Sequence, residues 1–194
     1  HLRIEGIDCH IGSQLTEVTP FIAALERVLA LVDGLARDGI TIRHIDLGGG
    51  LGIRYRDETP PAVTEYAQAL LKALGTRPQK LLFEPGRLLT GNAGVLLSTV
   101  LYLKPGQAPG QSKNFAIVDA AMNDLMRPAL YDAWHDVLPL RETTPGGKSY
   151  DIVGPVCESG DFLARDRQLT VNPGDLIAIA SVGAYGMSMS SNYN

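Results

Sequence analysis

Apolar residues at Leu2, Ile4 and Ile7 alternate with polar ones, and the run stops at His10-Ile11-Gly12-Ser13-Gln14. That pattern predicts a strand over Leu2 to Cys9 entering a glycine turn. Phe21, Leu25, Val28, Val32 and Leu35 then recur at helical spacing. Thr19 reads as the N-cap, Pro20 as the first helical residue and Gly39 as the stop. A second strand, Thr41 to Leu47, runs into Gly48-Gly49-Gly50. A second helix, from about Pro61 to Leu74, carries Tyr66, Leu70 and Leu74 on one face and ends at Gly75. Lys80 to Phe83 reads as a short buried strand that breaks at Glu84-Pro85-Gly86-Arg87. This β-α-β-α-β rhythm indicates parallel strands joined by helical crossovers.

Beyond Arg87 the pattern becomes strand-rich. Strands are expected over Val95 to Leu103 and Phe115 to Val118, and near Asp136 to Leu140, Tyr150 to Val153 and Leu176 to Ala180. A loop with Gln107, Pro109 and Gly110 separates the first two, and one helical turn lies around Asp124 to Tyr131. Strands following a βα series predict two domains, residues 1–94 (α/β) and 95–194 (all-β).

The 194 residues, 45% hydrophobic, suffice for one sizeable core or two small ones. A net charge of −4 without a basic stripe argues against nucleic acid as the main partner. No apolar run reaches the length of a membrane span, and the composition is that of a cytosolic protein. Cys9 and Cys157 are therefore expected as reduced thiols. The chain opens at His1 in a strand pattern and ends without a closing element, so it reads as a piece of a longer polypeptide.

Three strand ends carry candidate chemistry: His10 to Gln14, Asp46 to Gly52 and Glu84 to Arg87. In βα folds such ends share one rim, where sites are built. Gly48-Gly49-Gly50 offers unhindered N–H groups suited to a phosphate, or it is a plain turn. It has neither the Walker A register nor that of a dinucleotide fold. Ser13 could add a hydroxyl. Glu84 with Arg87 is an ion-paired surface turn or part of a site. In the second half, Gly154-Pro155-Val156-Cys157-Glu158-Ser159-Gly160-Asp161 sets a thiol beside acids, which favours at least partial exposure. Arg127 and Tyr131, four apart on a short helix, would share a face and could clamp a carboxylate. Tyr185 lies between glycines. No cysteine pair or histidine spacing supports a metal site.

These motifs occur in the order found in the fold-type III pyridoxal-phosphate decarboxylases, the group acting on ornithine, arginine and diaminopimelate, and the similarity spans essentially the whole chain. Asp119-Ala120-Ala121-Met122-Asn123-Asp124 through Arg127-Pro128-Ala129-Leu130-Tyr131 resembles the diaminopimelate branch. The resemblance implies the C-terminal part of a (β/α)8 TIM barrel followed by an incomplete β-barrel domain. It implies pyridoxal 5'-phosphate held by His10, Ser13, Gly48, Gly49, Gly50, Glu84, Gly86, Arg87 and Tyr185. His10 would stack on the ring, and Glu84 would hold the pyridine nitrogen protonated. Cys157 would be the proton donor. Arg87, Arg127, Tyr131, Glu158 and Tyr185 would bind the amino acid substrate, with Cys157 and Glu158 acting across a homodimer interface. The lysine that carries the cofactor in this family would lie upstream of His1, so the segment alone is expected to be inactive. Two alternatives are an ornithine, arginine or carboxynorspermidine decarboxylase, and a non-catalytic decarboxylase-like fragment.

Overall fold

The computed structural model describes residues 2–106, 113–142 and 146–194, so the loop expected around Gln107 to Gly110 lies outside the described residues. The chain divides into two compact units, His1–Leu89 and Thr90–Asn194.

In the first unit, β1 (Gly6–Asp8), β2 (His44–Asp46) and β3 (Lys80–Leu82) form a parallel sheet in that order. Ile7 lies opposite Ile45, and Ile45 opposite Leu81. This register aligns the C-terminal strand ends. The crossovers are α1 (Thr19–Arg37) and α2 (Val63–Leu74). Phe21, Leu25, Val28, Leu29 and Val32 of α1 pack with Tyr66, Leu70 and Leu74 of α2 around Ile45. The Phe21 and Tyr66 rings meet edge to face at 4.9 Å. Burying a side chain such as Leu25 contributes roughly 2 kcal/mol. α1 stops where Gly39 N–H donates to Ala36 O and Ile40 N–H to Leu35 O, a Schellman closure.

Several expectations change here. Thr19 is the first helical residue rather than the cap, because Val18 already accepts the first main-chain bonds, from Phe21 and Ile22. β1 is shorter than expected: Leu2 and Ile4 are exposed, and the sheet begins where Gly6 meets His44. β3 is not a buried strand. It is a sheet edge, with Leu82 and Phe83 exposed. A short helix, α3 (Gly86–Thr90), follows.

The second unit is a six-stranded mixed sheet built from β4 (Leu96–Lys104), β5 (Asn114–Val118), β6 (Val137–Pro139), β7 (Lys148–Val153), β8 (Phe162–Leu169) and β9 (Leu176–Ile179). Its order is β6-β9-β4-β5-β7-β8. Arg167 of β8 donates to the carbonyl of His135, just before β6, so the edge strands approach and the sheet nearly closes into a barrel. Val100, Val118, Leu125, Ile152, Leu163, Ile177 and Ile179 fill it. β8 escapes the sequence pattern because Arg165-Asp166-Arg167 breaks its alternation. Asp166 has φ +56° in a bulge opposite Asp151. The buried Asp151 carboxylate accepts the Asp166 N–H at 2.8 Å and pairs with Lys113 at 3.0 Å. α4 (Arg127–Tyr131) is the one α-helix of this unit beyond the end of α3 among the described residues. No described helix is long and apolar enough to cross a membrane.

Candidate active site

The three strand-end loops of the α/β unit are joined mainly through backbone. Leu15 N–H donates to Gly50 O and Gly52 N–H to Leu15 O, while Glu84 N–H donates to Gly48 O. Gln14 imitates a strand, donating from Nε2 to Ile53 O at 2.6 Å and accepting Ile53 N–H at 3.2 Å. Gly50 is required in this weave: it has φ +108°, and a Cβ there would lie 2.5 Å from Gly12 O.

On this rim Arg87 donates to Ser13 Oγ from Nε at 3.2 Å and from Nη2 at 3.0 Å, and from Nη1 to the Tyr55 hydroxyl. Cation and hydroxyls thus form a donor cluster beside the glycine loop, the chemistry that receives an anion. Glu84 is exposed and carries no ion pair among the described residues. His10 is exposed, its ring against Gly48. The expected set of amides narrows. Gly48 N–H is engaged by Asp46 Oδ1 at 2.9 Å, and Gly86 N–H by Glu84 O at 2.8 Å. Gly49 and Gly50 are left as amides without a partner among the described residues. Tyr55, which sequence reasoning passed over, is buried with its hydroxyl on Arg87. Its position in the polar run after the glycines was the available signal. Cys9 is no candidate nucleophile. Burial foremost, and then the charges of Asp8 and Asp46, push its thiol pKa up.

In the β unit, Cys157 and Glu158 are exposed at a turn after β7, and the Glu158 carboxylate accepts from the Tyr193 hydroxyl at 3.3 Å. Arg127 and Tyr131 do not share an accessible face. Tyr131 is exposed, whereas Arg127 is only 8% exposed and its Nη1 lies 2.8 Å from His135 Nε2. A guanidinium only donates, so Nε2 accepts and Nδ1 carries the proton, which it gives to Ala180 O at 2.9 Å. His135 is therefore neutral and fully buried. One helical turn is too short for an i, i+4 face when its first residue points into the core. Tyr185 sits in a separate turn at φ +59°, a strained setting for a non-glycine residue. Asp119 accepts from Ser98 Oγ and Thr99 N–H, and the Ser98 hydroxyl foremost holds its carboxyl below the usual range.

The residues fit pyridoxal phosphate. A cation, a hydroxyl and two unpartnered amides suit its phosphate, and an uncompensated carboxylate suits a protonated ring nitrogen. The comparisons with known proteins agree. The profile described as "Pyridoxal-dependent decarboxylase, C-terminal sheet domain" matches residues 9–183. Diaminopimelate decarboxylase from Pseudomonas aeruginosa is 59% identical over 194 residues, all of this chain and 46% of that protein. The Vibrio cholerae enzyme of the same name is 58% identical over 195 residues, again with 46% of its length matched. The chain thus spans about half the length of the curated relatives it matches. The crystal structure of diaminopimelate decarboxylase from Helicobacter pylori complexed with L-lysine superposes with a TM-score of 0.90 at 42% identity, covering 99% of this chain and 47% of that one. Motif order, fold and profile lead to one conclusion: the chain belongs to the pyridoxal-dependent decarboxylase family.

Proposed function

We propose that this chain serves in the pyridoxal-phosphate-dependent decarboxylation of meso-2,6-diaminopimelate to L-lysine and carbon dioxide, as part of a (β/α)8 barrel joined to its β-barrel domain. The observation that carries the reading is the Arg87–Ser13–Tyr55 donor cluster beside the glycine loop, with Glu84, which has no ion pair among the described residues, on the same rim. Ser13, Arg87, Gly49 and Gly50 would hold the phosphate, and Tyr185 is proposed as a further phosphate ligand. His10 would lie against the ring. Glu84 would keep the ring nitrogen protonated. The bound cofactor supplies an electron sink for the pair left when carbon dioxide departs. Cys157 would return a proton to that carbon. Glu158 and Tyr131, both exposed, would receive the distal end of the substrate.

Relatives at 58–59% identity bear the diaminopimelate decarboxylase name, and the Helicobacter pylori protein binds L-lysine, the proposed product. We also propose a cytoplasmic homodimer in which Cys157 and Glu158 serve the partner's site. The outward face of β4, β6 and β9 supports this, since it exposes Leu97, Leu138 and Leu176.

The test is carbon dioxide release by the protein carrying this chain, loaded with pyridoxal phosphate, from meso-diaminopimelate, L-ornithine and L-arginine. Diaminopimelate should be preferred by about 100-fold or more, because a site built for a distal carboxylate leaves buried polar groups unpaired with the others. Equal turnover of L-ornithine overturns the assignment.

A further inference from the structure

Asp161 stands apart from the acids around it. It is only 4% exposed, and no lysine or arginine pairs with it among the described residues. A buried carboxylate without a cation is costly unless N–H groups satisfy it. Two do, from separate loops. Oδ2 accepts Val156 N–H at 2.8 Å, and Oδ1 accepts Met122 N–H at 2.7 Å. The main chain closes the same loop: Asp161 N–H donates to Glu158 O at 3.1 Å, and Gly154 N–H donates to Asp161 O at 3.3 Å. Cys157 is thereby the exposed apex of a turn whose two neighbours are both tied to Asp161. Gly154 is needed for the closure, since a Cβ there would lie 2.6 Å from Asp161 Oδ2 and 2.6 Å from Ala120 O.

We propose that Asp161 is a positioning residue, whose carboxylate fixes the Cys157–Glu158 turn against the Ala121–Met122 loop by binding one backbone N–H of each. The inference rests on the reading of Cys157 as proton donor. Chemistry specifies the side chain. Both partners are donors, so both positions must be acceptors. An asparagine keeps one bond and turns an NH2 against the other N–H. The Met122 loop leads directly into α4, so one carboxylate orders both the thiol and the start of the helix that carries Tyr131.

The experiment uses the complete, cofactor-loaded enzyme and Asp161→Asn. kcat should fall roughly tenfold to a hundredfold with KM changing less, as expected for a displaced reacting group. Iodoacetamide alkylation of Cys157, followed by peptide mass spectrometry, should change at least about threefold while Cys9, in the other unit, keeps its rate. Unchanged kcat and an unchanged Cys157 rate overturn the proposal. Should Asp161→Asn fail to fold, hydrogen exchange on the unsubstituted enzyme decides. Protected Val156 and Met122 amides support the inference, and exchange at unstructured-peptide rates overturns it. Turnover of Cys157→Ala tests the proton-donor reading separately, and alkylation and exchange judge Asp161 whichever way that falls.

Discussion

The two units hold their candidate residues by different physics. In the α/β unit the loops are sewn mainly by backbone to backbone, Leu15 to Gly50, Leu15 to Gly52 and Gly48 to Glu84, and glycines permit the close approach. In the β unit the loops hang on side chains: Asp161 under the thiol turn, Asp151 in the β8 bulge, His135 against Arg127. A backbone weave tolerates most substitutions because the bonded groups survive them. A side-chain hook fails whole when its residue is replaced, leaving buried polar groups unpaired.

The sharpest way to break this contrast is His135→Ala. It removes one acceptor of Arg127 and the ring donor to Ala180 O inside the barrel. A stability loss of about 3 kcal/mol or more is expected, because a fully buried ring is removed and two buried hydrogen bonds go with it. Urea unfolding read by fluorescence reports on this unit, since Trp134 is the chain's single tryptophan and Arg167 stacks on it. A loss under about 1 kcal/mol would refute the hook picture. Leu25→Ala, at a fully buried position of α1, should cost about 3 kcal/mol, measured by helical circular dichroism. This calibrates the first unit as an ordinary apolar core.

Gln14→Ala removes both bonds to Ile53 yet leaves the Leu15 main-chain bonds in place. A loss of only about 1 kcal/mol is expected by denaturant titration, and a collapse of the rim would erase the distinction between the units.

The smallest effect is alkaline. Burial foremost pushes the Tyr66 phenol up to about 12. A raised pKa means the folded state holds the proton more tightly. That stability is complete below about pH 10, the ordinary phenol value, and is lost as pH rises toward 12. Tyr66→Phe should flatten the decline of stability between those limits, and an unchanged slope would assign it to other groups.

Much of the rim was legible in sequence, because glycine and proline punctuate strand ends and helical periodicity marks α1 and α2. What escaped was context. Asp161 reads as one more surface acid in Glu158-Ser159-Gly160-Asp161, and only the fold shows two amides pointing at it. Arg127 reads as a partner of Tyr131 until its guanidinium turns toward His135, eight residues on. β8 was hidden by three consecutive charges whose bulge is completed by Lys113, just before β5 and distant in sequence. Tyr55 needed Arg87, thirty-two residues away, to acquire a role.

The central claim is that the α/β rim holds pyridoxal phosphate, with Glu84 facing its ring nitrogen. Glu84→Gln in the complete enzyme tests it most directly, by measuring kcat for carbon dioxide release from meso-diaminopimelate alongside cofactor content. Glu84 is exposed and carries no ion pair among the described residues, so the fold should survive the change. Cofactor content near that of the unsubstituted enzyme with kcat lowered by about 100-fold is the predicted result, since a neutral amide cannot hold the ring nitrogen protonated. Full activity in Glu84→Gln with the cofactor in place would contradict it.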